Sequence, residues 1–157
     1  MAPVNAFQCL QGLETLGVRI EKHSQNALEL AKWLKQQEEV AWVNYPGLEE
    51  SPEYEKARKY LPKGQAGLLT FGLHGGYEAA KHLTNESKLF AIVANIGDTR
   101  SLIIHPASTT HQQLTEEQQY SAGVSPDLIR LSVGLEDVED LKADLKAVFE
   151  TLKVEAL

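Results

Sequence analysis

The sequence predicts an α/β (α+β) fold in which helices cover a short mixed or antiparallel sheet and a long helix precedes them. Three observations predict this arrangement. Apolar residues recur at spacings of three and four in the first and last segments, five short apolar runs lie between them, and helical and strand-like segments alternate. The 157 residues are enough for one domain with one hydrophobic core.

The N-terminal segment is predicted to be helical from Val4 to about Gln37. Pro3 stands where a first-turn proline is tolerated. Gly17 predicts a bend or a break, because glycine is a poor helix former. The apolar stripe of this helix comprises Phe7, Leu10, Leu13, Leu16, Ile20, Leu28, Ala31 and Leu34.

Four elements are predicted in the middle of the chain. "VAWVNYPG" (40–47) is typical of a strand that Pro46-Gly47 ends. Ser51 is a plausible cap, with proline at the first position of a short helix that ends at Leu61. A second strand is centred on 68–73, and "YEAAKHLTNES" predicts a helix that ends near Asn85.

The C-terminal part alternates again. The runs "FAIVAN" and "SLIIHP" predict two short strands, and Thr115 predicts the cap of a short helix that Gly123 ends. In "LIRLSVG", alternation places Leu128, Arg130 and Ser132 on one face of a strand. The last helix has an apolar stripe of Val138, Leu141, Leu145, Val148 and Leu152.

Composition and charge exclude several classes of partner. The net charge of −7 argues against nucleic acid or an anionic membrane as the main partner. No apolar run approaches the length of a membrane span, about 20 residues. Cys9 is the single cysteine, which excludes a disulfide within the chain and favours a reducing compartment. We expect a cytoplasmic protein.

His105 and His111 flank a cluster of hydroxyl residues in "HPASTTH". Their spacing does not match the i, i+4 pair of helical zinc sites, so no metal is expected. No G-x-S-x-G occurs, which leaves a hydrolase triad without its nucleophile turn. The acidic residues at the start of the last helix are interpreted as a solvated helix start: Glu136, Asp137, Glu139 and Asp140.

Arg130 and Asn95 are the candidate binding residues. Arg130 lies mid-strand between apolar neighbours, where a guanidinium can bind a carboxylate by two hydrogen bonds. The composition alone favours the alternative, an internal salt bridge to a helix acid. Asn95 ends an apolar run before Gly97, which suits either a turn or a polar group at a strand end.

The motif "NIGDTRSLIIHPASTTHQQLTEEQQ…AGVSPDLIRLSVGLEDVEDL" resembles the C-terminal part of the Cys/Met-metabolism family of pyridoxal-phosphate enzymes. "PVNAFQCLQGLETLGVRIEKHSQNALELAKWL" resembles the helical connection into that part, and "VNYPGL…KYLPKGQAGLLTFGL" resembles the segment that follows it. The resemblance covers nearly the whole chain. Within the family, the sequence most resembles the O-acetylhomoserine sulfhydrylase branch.

The resemblance implies the small C-terminal domain of a fold-type-I transferase that uses pyridoxal phosphate. The reaction implied is replacement of the acetate of O-acetylhomoserine by sulfide or methanethiol. Arg130 matches the arginine that binds the substrate α-carboxylate, and Asn95 matches a position beside the same carboxylate. "HPASTTH" resembles a loop near the substrate site, and its histidines are expected to be structural or to support that site.

The departures from the family pattern are equally informative. No lysine lies in a Ser-x-Thr-Lys context, so the Schiff-base lysine and every other catalytic residue are expected to lie outside this chain. We therefore expect residues 1–37 to be an interdomain helical segment and 38–157 a C-terminal domain, inactive and without cofactor when alone. The exposed stripe that begins at Phe7 favours a homo-oligomer.

Two alternatives remain at this point. One is the same domain of a cystathionine γ-synthase or γ-lyase, although these relatives more often have serine where this chain has Asn95. The other is a stand-alone, non-catalytic module that binds amino acids.

Overall fold

The computed structural model describes residues 1–155, and side chains through residue 152. Six helices and five strands alternate along this range, as the periodicities predict. The elements are α1 (Pro3–Glu14), α2 (Leu16–Leu34), β1 (Val40–Asn44), α3 (Tyr54–Tyr60), β2 (Leu68–Leu73), α4 (Gly76–Glu86), β3 (Ala91–Ile92), β4 (Leu102–Ile104), α5 (Glu116–Ser121), β5 (Leu128–Ser132) and α6 (Val138–Glu155). None of the described helices is long and apolar enough to cross a bilayer.

The five strands form one mixed sheet in the order β1-β2-β5-β4-β3. Neighbouring strands are antiparallel except β3 and β4, which are parallel. β5 is therefore central, and Arg130 stands opposite Thr70 on one side and Ile104 on the other. This architecture confirms the predicted fold class.

Helices α2, α4 and α6 cover one face of the sheet. Alternate strand residues point into this interface and are almost fully buried, among them Phe71, Ile103, Ile129 and Leu131. Burying each such side chain contributes roughly 1.5–3 kcal/mol. The opposite face carries Leu128, Arg130 and Ser132, because successive strand residues point to opposite sides.

The N-terminal helix is broken at Thr15, two residues before the glycine that predicted the break. Arg19 accounts for this position. Its guanidinium bonds the Thr15 hydroxyl and also donates to the carbonyl of Gly12 at 2.9 Å. The Arg19 side chain thus satisfies one of the last carbonyl groups of α1, which have no hydrogen-bond partner within the helix.

The two N-terminal helices differ in burial. α1 has no buried residue, whereas Leu30 and Leu34 of α2 are fully buried in the same core as the sheet. The second half of α2 is thus an integral layer of this core. The division of the chain into domains at residue 37 stays a prediction.

Two helix starts were predicted from capping residues. The Thr115 cap is confirmed: its hydroxyl accepts from the Gln118 amide at 3.3 Å, and the Gln118 side chain accepts from the Thr115 amide at 2.9 Å. The Ser51 cap is wrong, because α3 begins at Tyr54. The Ser51 hydroxyl and carbonyl instead accept from the amides of Glu53 and Tyr54 in a turn before the helix.

Candidate carboxylate-binding site

The sheet face opposite the helices is the candidate site. Arg130 projects from the central strand on this face and is half-buried, while Leu68 at the edge of the face is 41% exposed. Ser132, two residues along β5, is 4% exposed on the same face. The guanidinium of Arg130 is therefore partly shielded from solvent, so water competes less well for its hydrogen bonds.

Arg130 and Asn95 are brought together by the fold. Nη2 of Arg130 donates to the main-chain carbonyl of Asn95 at 3.3 Å. Among residues 1–152, no ion pair involves Arg130, so the salt bridge to a helix acid that composition favoured is not found. A guanidinium has five N–H donors. The remaining donors can bind a carboxylate by two parallel bonds.

The loop that carries Asn95 is held in place by hydrogen bonds from its main-chain amides. The side-chain oxygen of Asn95 accepts from the amide of Ile96 at 3.0 Å, so the carbonyl and not the side chain meets Arg130. Gly97 has a φ of +76°, where glycine is favoured. Its amide donates to the Ser132 hydroxyl at 3.0 Å and ties the loop to β5.

Asp98 ends this loop with a turn. Its Oδ1 accepts from the amide of Arg100 at 3.0 Å. That hydrogen bond lowers the pKa of the Asp98 carboxyl below its ordinary value. The loop therefore keeps a carboxylate at its far end in the charged form.

The segment after β5 is anchored by three polar side chains. Asn26 on α2 donates to the carbonyls of Gly134 and Glu136 at 3.0 and 2.8 Å. The Glu136 carboxylate accepts from the amide and hydroxyl of Ser101 at 2.7 and 2.8 Å. Glu136 is thus not merely part of a solvated helix start, and it fixes the end of the strand that carries Arg130.

His105 is structural. It is fully buried, its Nε2 donates to the Pro126 carbonyl at 2.7 Å, and Nδ1 accepts from the Ser108 hydroxyl at 2.8 Å. Burial lowers the pKa of this imidazole below its ordinary value, because a charged ring would lose hydration. Tyr77 packs edge-on against it at 4.8 Å.

His111 has a separate role from His105. Its Nδ1 lies 2.8 Å from the Thr110 hydroxyl, and its amide donates to the Pro106 carbonyl at 2.9 Å. The two histidines are therefore engaged by different neighbours. Within the described part of the chain, no group of three or more His, Cys, Asp or Glu residues could hold a metal ion.

His23 is a buried polar residue that the sequence did not single out. His23 on α2 is 3% exposed, and its Nδ1 lies 2.6 Å from the Val133 carbonyl at the end of β5. The available signal was its place on the buried stripe of α2, four residues before Ala27. A histidine at such a position needs a polar partner inside the protein.

Comparisons with known proteins agree with each other. Residues 1–150 match the family model described as Cys/Met metabolism PLP-dependent enzyme. The chain is 57% identical over 146 residues to O-acetyl-L-homoserine sulfhydrylase 1 of Thermus thermophilus, which covers 93% of this chain and 35% of that relative. It is 49% identical over 153 residues to O-acetyl-L-homoserine sulfhydrylase of Leptospira meyeri, covering 97% and 35%.

A solved structure is similar as well. The crystal structure of an O-acetylhomoserine (thiol)-lyase from Campylobacter jejuni superimposes with a TM-score of 0.87 at 49% identity, covering 96% of this chain and 36% of that one. That crystal structure contains a pyridoxyl phosphate attached to a lysine. The chain thus spans about a third of the length of the relatives it matches.

Proposed function

Because this chain belongs to the Cys/Met-metabolism family of pyridoxal-phosphate-dependent enzymes, we propose that it is the substrate-carboxylate-binding part of an O-acetylhomoserine sulfhydrylase. We place it at the C-terminal end of the full-length enzyme, which we propose to be a cytoplasmic homo-oligomer. The observation that carries the proposal is Arg130, a half-buried guanidinium without a carboxylate partner among the described residues.

Arg130 would bind the α-carboxylate of O-acetylhomoserine. The Asn95 carbonyl accepts from one of its N–H groups and so limits rotation of the guanidinium. The other donors then face the substrate with a fixed orientation. Binding the carboxylate in this way orients the rest of the amino acid, which lowers the entropic cost of the reaction. Asn95 is proposed to lie beside the same carboxylate.

The residues of this chain do not fit the cofactor. No lysine of the sequence lies in the Ser-x-Thr-Lys context of the family's Schiff-base lysine. A cofactor of this family supplies an electron sink when it is bound. We expect this chain alone to be inactive with added pyridoxal phosphate.

The sulfhydrylase reaction is favoured over the alternatives. Two of its relatives, from Thermus thermophilus and Leptospira meyeri, are O-acetyl-L-homoserine sulfhydrylases, and these names support sulfide as the group that replaces acetate. Asn95 also departs from the serine expected in cystathionine γ-synthases and γ-lyases. A non-catalytic amino-acid-binding module would use the same guanidinium, and finding the lysine of this family in the same full-length protein would reject it.

The Arg130→Lys variant tests the proposal. O-acetyl-L-homoserine titrated into isotope-labelled protein should saturably shift the main-chain amide resonances of Asn95 and Leu131, which are present in every variant. Affinity should fall about tenfold in Arg130→Lys, because lysine offers a single point charge in place of two parallel hydrogen bonds. The full-length enzyme should show the same loss as a higher KM.

Arg58→Lys is the matched control, since Arg58 lies on α3 against Tyr54 and away from strand β5. Its affinity should match that of the unchanged protein. Equal affinity of the Arg130→Lys variant and the unchanged protein would reject the assignment.

A further inference from the structure

A small pocket lies next to the Arg130 site and shares two elements with it. The pocket has a volume of about 150 Å³. Three partly exposed apolar side chains form its rim: Ile20, Leu68 and Ile96 are 43%, 41% and 59% exposed. Buried residues also line it, including His23 and Ser132. The pocket is thus apolar at its mouth and contains two polar side chains.

His23 offers this pocket a hydrogen-bond acceptor. A carbonyl oxygen can only accept, so the 2.6 Å contact with Val133 places the ring proton on Nδ1. In the neutral form of the ring, Nε2 carries a lone pair. Among the described residues Nε2 has no hydrogen-bond partner, and it is not sealed from solvent. His23 is 3% exposed and is among the residues that line the pocket.

Ser132 offers a donor in the same pocket. Its oxygen accepts from the Gly97 amide at 3.0 Å, and its hydroxyl proton has no acceptor among the described residues. A molecule held between Ser132 and His23 must therefore both donate and accept a hydrogen bond. It must also be uncharged, because the residues lining the pocket include no carboxylate, lysine or arginine to balance a buried charge.

We propose that this pocket binds a small thiol. The S–H group donates to Nε2 of His23, the sulfur accepts from the Ser132 hydroxyl, and the apolar body contacts Ile20, Leu68 and Ile96. Sulfur is polarisable and a weak hydrogen-bond former, so a thiol loses less hydration in an apolar rim than an alcohol does. The inference rests on the proposed function, in which a thiol is the second substrate.

The position of the pocket relative to Arg130 supports this assignment. Arg130 and Ser132 are alternate residues of one strand, so their Cα atoms lie about 7 Å apart. The loop whose Asn95 carbonyl bonds Arg130 also contributes Ile96 and Gly97 to the pocket wall. A thiol in the pocket would lie about one amino-acid length from a carboxylate bound to Arg130.

Methanethiol is the probe, titrated into isotope-labelled protein while the Gly97 and Ser132 amide resonances are followed. We expect saturable shifts, with affinity about fivefold weaker in His23→Asn because one hydrogen bond is lost. Asparagine can still donate to the Val133 carbonyl through Nδ2, so the variant removes Nε2 alone. His74→Asn is the matched control, since His74 is exposed and does not line the pocket, and it should bind as the unchanged protein does.

Ile96→Trp tests the pocket without changing a buried residue, because Ile96 is exposed at its rim. It should abolish the shifts. Absence of saturable shifts, or equal affinity in His23→Asn and the unchanged protein, would overturn the thiol site.

A parallel titration with O-acetyl-L-homoserine separates this proposal from the function. Amino-acid binding at Arg130 without methanethiol binding rejects the thiol pocket alone. Methanethiol binding without amino-acid binding supports the pocket and rejects the carboxylate assignment.

Discussion

Arg130 donates a hydrogen bond to the main-chain carbonyl of Asn95 at 3.3 Å, although the two residues are 35 positions apart in the chain. The same loop donates its Gly97 amide to Ser132, the next residue on that face of β5. Two hydrogen bonds thus fix the loop against the strand. The orientation of the guanidinium therefore depends on a loop that the Ser132 hydroxyl holds against β5.

Ser132→Ala should loosen the loop. The Gly97 amide loses its acceptor, so its hydrogen exchange should become about tenfold faster, and the free energy of unfolding should fall by about 1 kcal/mol. Exchange measured by NMR checks this. Ser121→Ala, at the exposed end of α5, is the control and should change neither quantity. Unchanged protection of Gly97 in Ser132→Ala would contradict a positioning role for Ser132.

His105 should make the stability depend on pH. Its folded-state pKa lies below the ordinary value of 6.5 because the ring is buried. The unfolded chain therefore binds the proton more readily, and the stabilisation present above pH 6.5 is lost as the pH falls toward the folded-state pKa. His105→Gln should be less stable at pH 7 by about 2 kcal/mol. The stability of the variant should also change less between pH 7 and pH 5. Denaturant unfolding at several pH values measures both effects. If the free energy of unfolding depended on pH equally in the variant and the unchanged protein, His105 would not be the group responsible.

Ala66→Gly should raise the free energy of unfolding. Ala66 has a φ of +62°, a conformation that costs a non-glycine residue roughly 1–2 kcal/mol. Its carbonyl accepts from the buried Tyr45 hydroxyl at 2.9 Å, which helps to keep this conformation. Greater freedom of glycine in the unfolded chain offsets part of the gain, so we expect about 0.5 kcal/mol.

Ala143→Gly provides the matched control for that change. Ala143 is exposed on α6 with ordinary helical surroundings, so the same substitution should lower the free energy of unfolding by about 1 kcal/mol. Thermal unfolding compares the two. Destabilisation by both substitutions would show that the Ala66 conformation carries no strain.

The exposed stripe of α1 should drive self-association. Phe7, Leu10 and Leu13 are each about 60% exposed and lie on one side of the helix. Exposed apolar patches of this kind favour association. Sedimentation velocity should find oligomers of the unchanged chain and a shift toward monomer in Leu10→Glu. Gln8→Glu adds the same charge on the other side of α1 and should leave the oligomers intact; monomer in every sample would refute the expectation.

Much of the fold follows from local patterns. The order of helices and strands and the Thr115 cap follow from periodicity and capping residues, which depend on neighbours within one or two turns. The placement of Arg130 and Ser132 on one strand face follows from strict alternation. A break near Gly17 also follows from the sequence, but its position at Thr15 does not, because Arg19 bonds both Thr15 and Gly12 there.

The sequence by itself determined the elements, the fold class, and Arg130 and Asn95 as candidates for one site. Only the tertiary structure decided that the main-chain carbonyl of Asn95, and not its side-chain amide, accepts the hydrogen bond from Arg130. It also decided that Glu136 bonds Ser101 and that His23 reaches Val133, 110 residues away. Hydrogen bonds of this kind join residues distant in sequence, so they arise only when the packing of α2 and β5 brings their polar groups within bonding distance.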